Sequence, residues 1–226
     1  MTVGAYLQPG YNAADIFEAI GPWMKEQKAS WAYGYNYEFG GEDEDTSENL
    51  GAIFSNLPLA FFLIVILLVL QFNSIRKATI IVLAIPLGII GAVAGWFIGG
   101  SFVSFFGVLG IIALAGIVVN NAIILIDRID VEIAENPEVD RRDAILLAAN
   151  NRFRPILLTT LTTSLGMLPL LFGGGLLWEP LTLAIIFGLF FATIITLLFV
   201  PVVYRLFFKV SFKDYQFNRK MLEQAN

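Results

Sequence analysis

The sequence predicts a mainly α-helical membrane protein of five crossings, preceded by a polar segment of mixed α/β character. Three observations carry this reading. No charged residue occurs from Ala78 to Ile126, and a bilayer core ~30 Å thick takes about 20 helical residues to cross, so this run holds two crossings. The 226 residues are 57% hydrophobic and only 15% charged, with several uncharged runs of span length, which argues against a water-soluble globular class. Finally, Asn120 and Asn121 lie side by side deep in the apolar run. Each amide there must find a partner or cost roughly 1–3 kcal/mol, and polar residues at such depth face other helices or a pathway.

The polar segment comes first. Met1 to Tyr11 lacks the basic start and apolar stretch of a secretory signal. Residues 2–7 read as a strand, and Asn12 is placed to cap a helix from Ala13 to about Glu26. Trp31, Tyr33, Tyr35 and Tyr37 alternate with small or polar residues, the period of a half-buried strand. Gly40 and Gly41 then turn into Glu42-Asp43-Glu44-Asp45. Acids suit a helix N-terminus, where the dipole favours negative charge. A calcium loop would need spaced ligands and a central glycine, which this run lacks.

Five spans follow, over about 50–71, 78–99, 104–127, 154–172 and 181–206, with a polar connection over 128–153 and a polar tail over 209–226. The first two are separated by Arg76 and Lys77, the second and third by Gly99-Gly100-Ser101, and the last two by Gly173-Gly174-Gly175 and Trp178-Glu179-Pro180. Gly91, Gly95 and Gly99 repeat every four residues and predict a close helix-packing face. Within the connection, residues 140–151 are expected to form a short amphipathic helix lying on the membrane surface, with Ala144, Ile145, Leu147 and Ala148 on one side.

Charge sets the expected orientation. Residues 1–50 carry nine acidic and two basic side chains, whereas the remainder carries ten acidic and twelve basic. All of those twelve, from Arg76 and Lys77 through Arg128, Arg152 and Arg154 to Arg205 and the tail, fall on one side of the spans. Basic residues concentrate on the cytoplasmic side, so the C-terminus is expected inside and residues 1–49 outside. An acidic outer segment has nothing ahead of it here to carry it across, which leads us to expect that further spans precede this chain in a longer protein.

At this point a resemblance enters. Residues 116–127, Gly-Ile-Val-Val-Asn-Asn-Ala-Ile-Ile-Leu-Ile-Asp, resemble the central-helix signature of resistance–nodulation–division (RND) efflux transporters of the AcrB-like kind. Residues 152–160, Arg-Phe-Arg-Pro-Ile-Leu-Leu-Thr-Thr, are similar to the entry to the next helix of that family, and Glu38 to Glu42 to its last periplasmic strand. The resemblance covers essentially the whole chain. It implies that the five spans are helices eight to twelve of a twelve-helix protein, a half bundle preceded by the end of a ferredoxin-like α/β porter subdomain at 1–49. It further implies a homotrimer in the bacterial inner membrane, exporting xenobiotic compounds by proton antiport. A periplasmic adaptor protein and an outer-membrane channel would be its partners.

The same resemblance implies a proton relay. Its aspartates lie in the N-terminal half, outside this chain. Asn120 takes the place of a lysine that pairs with them in drug-exporting relatives, Thr159 a hydrogen-bonding position, and Arg152 a position at the cytoplasmic mouth of the path. An amide donates a hydrogen bond to a carboxylate but does not offset its charge, so the carboxylate pKa is expected to be higher than beside a lysine. Neighbouring residues on a helix point about 100° apart, so Asn120 and Asn121 cannot face one partner. Both Asn120 and Asn121 are therefore open to two readings, relay or interhelical glue, with Asn120 the one read as facing the aspartates. Arg152 is equally open to the reading of a positive-inside anchor. Thr159, Thr160, Thr162, Thr163 and Ser164 make a hydroxyl-rich segment. Such hydroxyls also bond back to their own helix.

Other functions have less behind them. There is no histidine and no cysteine, which removes thiolate and imidazole metal ligands and the usual near-neutral proton carrier. No cofactor or metal is expected, and an intramembrane enzyme lacks its nucleophile and base. A lipid or secretion-associated transporter of the same superfamily, or a segment that only binds other membrane subunits, remains as the alternative.

Overall fold

The computed structural model describes residues 13–31, 36–37, 42–101, 103–135, 140–175 and 177–210. Among the described residues six helices run in order: α1 (Ala13–Lys28), α2 (Glu42–Phe72), α3 (Ile75–Gly99), α4 (Phe105–Glu135), α5 (Arg141–Gly173) and α6 (Glu179–Phe207). The chain divides into two compact units, Met1–Ala60 and Phe61–Asn226.

In the first unit, α1 ends with Lys25 and Lys28 in its last turn, where cations complement the helix dipole. Lys28 sits over the Tyr37 ring at 5.8 Å, and Trp31 meets that ring edge-on at 5.9 Å. The strand expected over 2–7 and most of that expected over 31–37 lie outside the described residues. Trp31, Asn36 and Tyr37 are not in a strand, and the described residues contain none. The acidic run opens α2 at Glu42, as its charge and position predict.

The second unit is built around α6, which packs against α3, α4 and α5. Five helices, α2 from Asn49 onward and α3 to α6, are long and apolar enough to cross a membrane. The glycine face of α3 lies directly on α6. Cβ atoms on Gly91 and Gly95 would fall 2.5–2.6 Å from the Cβ atoms of Phe191 and Phe187, so only hydrogen allows this approach, and one on Gly99 would fall 2.5 Å from Leu183 Cδ1. Gly110 of α4 sits likewise on the Leu181 carbonyl and on Ala184.

Both ends of the bundle are tied. At one end the Trp96 indole N–H donates to the Pro180 carbonyl at 2.7 Å, and Phe106 packs on Trp178 at 4.9 Å. At the other, Lys77 of α3 pairs with Asp130 of α4 at 2.6 Å, and the Tyr204 hydroxyl of α6 donates to the same carboxylate at 3.5 Å. Two residues along, Glu132 accepts from Arg128 and from the Asn151 amide of α5, the latter at 3.0 Å. The part of α2 that belongs to this unit joins the core through Leu68, Val69 and Phe72.

The polar connection differs from the sequence expectation. α4 continues to Glu135, and α5 starts at Arg141, capped by the Asp140 carboxylate on the Arg142 N–H at 3.0 Å. Residues 141–151 are thus the first turns of a single 33-residue helix rather than a separate surface helix. Their apolar face explains why: Ile145 and Ala148 are buried in the same core as Ile126 and Ile129 of the extended α4. Pro155 lies inside α5 without ending it, as membrane-spanning helices allow when freed backbone groups find other partners.

Candidate functional site

The four residues singled out by the sequence lie in three different environments. Asn120 is exposed on α4, whereas Asn121 retains only 4% of its accessible surface. Helix geometry forces this split, because α4 buries Leu114, Val118, Asn121, Ala122 and Leu125 and turns the Gly116–Asn120 stripe outward. Nothing lies within 4 Å of where a Gly116 Cβ would stand, so the surface around Asn120 is open. It is a hydrogen-bonding amide on an otherwise apolar span.

Thr159 is also exposed, and its hydroxyl donates back to the Pro155 carbonyl at 3.0 Å. Arg152, three residues before Pro155, is half-buried, and its Nε is buried without a hydrogen-bond partner among the described residues. α4 and α5 pack against each other, so both outward stripes belong to one helix pair.

The threonine that reaches a neighbouring helix is Thr160. Its hydroxyl lies 2.7 Å from that of Thr193 on α6 and also donates to the Ile156 carbonyl at 3.0 Å. Ser164 and Thr196 add two buried hydroxyls to α5 and α6. The sequence shows the hydroxyl-rich run but gives no means of choosing which of two adjacent threonines points inward. Coupling between polar side chains in membrane helices averages about 0.6 kcal/mol with a maximum near 1.7. A double-mutant cycle of Thr160→Val and Thr193→Val, read from unfolding in detergent, is expected to give roughly 0.6 kcal/mol, because Thr160 keeps a backbone acceptor of its own. Additive single effects would show that the two hydroxyls do not interact.

Sequence reasoning also missed the Lys77–Asp130–Tyr204 and Arg128–Glu132–Asn151 sets. The spacing of Arg128 and Glu132 is the standard i, i+4 signal. No local signal marks Asp130, whose partners are 53 and 74 residues away. The described residues contain no group of three or more His, Cys, Asp or Glu able to hold a metal ion.

Five apolar helices, three of them packed around α6, with a polar residue left on the outward face of α4, define a multi-pass membrane protein. The chain belongs to the AcrB/AcrD/AcrF family of RND-type proteins, which matches residues 1–208. It is 34% identical over 174 residues to the swarming motility protein SwrC of Bacillus subtilis, covering 75% of this chain and 16% of that protein. An uncharacterized transporter of Haemophilus influenzae is 29% identical over 216 residues, 89% of this chain and 20% of that one. Among solved structures, a heavy metal efflux pump superposes with a TM-score of 0.70 at 27% identity, covering 88% of this chain and 20% of the pump. The chain thus spans 16–20% of the length of these relatives.

Proposed function

We propose that these residues form the C-terminal membrane portion of an inner-membrane exporter driven by proton antiport. Asn120, Thr159 and Arg152 stand at its relay positions, and the carboxylates that take up protons come from a part of the transporter outside this chain. Asn121 is assigned to packing within the half bundle. The observation that carries this reading is the exposure of Asn120 on a span that is apolar around it. An amide so placed needs a hydrogen-bonding partner, and a carboxylate helix docking on the Gly116–Asn120 stripe supplies one. Protonation would change how the two half bundles pack, and that movement would drive the export of xenobiotic cargo through the porter domain. The basic residues at one end of the spans support a cytoplasmic C-terminus and a periplasmic acidic N-terminal segment. A homotrimer working with a periplasmic adaptor and an outer-membrane channel is the assembly this reading implies.

The test is proton flux in liposomes under a pH gradient. The complete transporter carrying this segment is expected to move cargo against protons and to stop when an uncoupler is added. The 226-residue chain by itself is expected to do neither, since it lacks the carboxylate half of the relay. Coupled exchange by the isolated chain would remove the need for that partner.

A further inference from the structure

The turn between α2 and α3 carries a feature that the transport reading does not use. An open crevice of about 500 Å³ lies there, with Asn73, Ser74 and Arg76 as a polar rim and Val69, Ile75 and Phe208 as an apolar wall. An apolar groove of about 180 Å³ adjoins it and shares Val69 and Ile75. That groove runs between α2 and α3 past Val65, Thr79, Val82 and Leu83. A polar, cationic mouth thus opens into an apolar slot along the membrane-spanning part of two helices.

The charge at the mouth is available. Lys77 is committed to Asp130, but its neighbour Arg76 is exposed and has no acidic partner among the described residues. Lys209, also exposed, directly follows the lining residue Phe208. The groove lies beside the contact that Leu68, Val69 and Phe72 of α2 make with the core. An occupant needs an anionic group joined to a flexible apolar chain. A water-soluble anion would leave the apolar slot unfilled, whereas an acyl chain joined to an anionic headgroup matches both parts.

We infer that this crevice and groove form a binding site for an anionic phospholipid of the cytoplasmic leaflet. The headgroup phosphate would lie on Arg76 beside Asn73 and Ser74, with one acyl chain between α2 and α3. The choice of leaflet rests on the orientation proposed above, but the site itself does not depend on proton coupling, so proton-flux results leave it untouched.

The test is lipid retention by the full chain in nanodiscs of mixed phosphatidylglycerol and phosphatidylethanolamine, read by mass spectrometry after mild delipidation. Phosphatidylglycerol is expected to be retained preferentially. A basic residue near an anionic surface is worth about 1 kcal/mol, a factor of about five. Arg76→Gln should therefore lower phosphatidylglycerol retention about fivefold. Arg154→Gln removes the same charge at the same end of the spans, on α5, and should leave retention unchanged. Thr79→Phe fills the groove and should abolish retention with Arg76 intact. A photoreactive benzophenone at Leu83 should label lipid. Equal losses for Arg76→Gln and Arg154→Gln would reduce the effect to general surface charge and overturn the site. Full retention by Thr79→Phe, or a protein adduct at Leu83, would overturn it as well.

Discussion

Asn120→Leu in the complete transporter is expected to reduce proton-coupled export at least about tenfold while leaving assembly and thermal stability unchanged. The size follows from losing a hydrogen bond to an ionised group, worth about 1.5–3 kcal/mol. The separation of the two readouts follows from the geometry. Asn120 is exposed in this chain and takes no part in its core, whereas Asn121 is 4% exposed and sits among Val118, Ala122 and Leu125. Replacing Asn121 should therefore act on folding first. Export assays and melting curves on both variants check this. Undiminished export by a normally expressed Asn120→Leu protein would take Asn120 out of the relay.

Gly91→Val is expected to destabilise the second unit by about 3 kcal/mol, the upper part of the range for overpacking a well-filled core. The added Cβ would lie 2.5 Å from Phe191 Cβ and 3.0 Å from the Gly188 Cα. No side-chain rotation relieves a contact with backbone, so α3 and α6 must move apart, and Gly95 and Gly99 lose their seats on Phe187 and Leu183 with them. Gly116→Val supplies the contrast. Nothing lies within 4 Å of its Cβ, and valine is a better helix former than glycine, so no loss of stability is expected, with at most a few tenths of a kcal/mol gained (about 0.3 kcal/mol). Unfolding of the two variants in detergent should separate them clearly. Similar melting would mean that α3 and α6 are not in close contact.

These two outcomes depend on different kinds of legibility. The four-residue glycine spacing of α3 was visible in the sequence as a packing face, since few roles other than close approach favour glycine in a membrane helix. Its partner was not. That α6 lies against it, through Leu183, Phe187, Gly188 and Phe191, is marked by no pattern along an apolar helix that several pairings would satisfy. The Thr159–Thr160 pair has the same limit. Both residues could bond back to the helix, and both do. Only the placement of Thr193 decides which one reaches across to another helix. The amphipathic segment at 140–151 has an apolar face that fits a membrane surface or a second helix equally well. The extended α4 supplied the second helix, through Ile129.

The sequence alone therefore determined the class, the apolar spans, the acidic start of α2 and the positions where polar groups must be explained. These follow from composition and one-dimensional spacing, because hydrocarbon admits few backbone arrangements. Tertiary structure alone decided which amide of the asparagine pair turns outward, which threonine is paired and how Asp130 joins three helices. It also decided that a cationic crevice opens between α2 and α3. Each of these is a contact between residues far apart in the chain, set by helix rotation and register. A difference of one residue turns a side chain by about 100°, from the core to the surface.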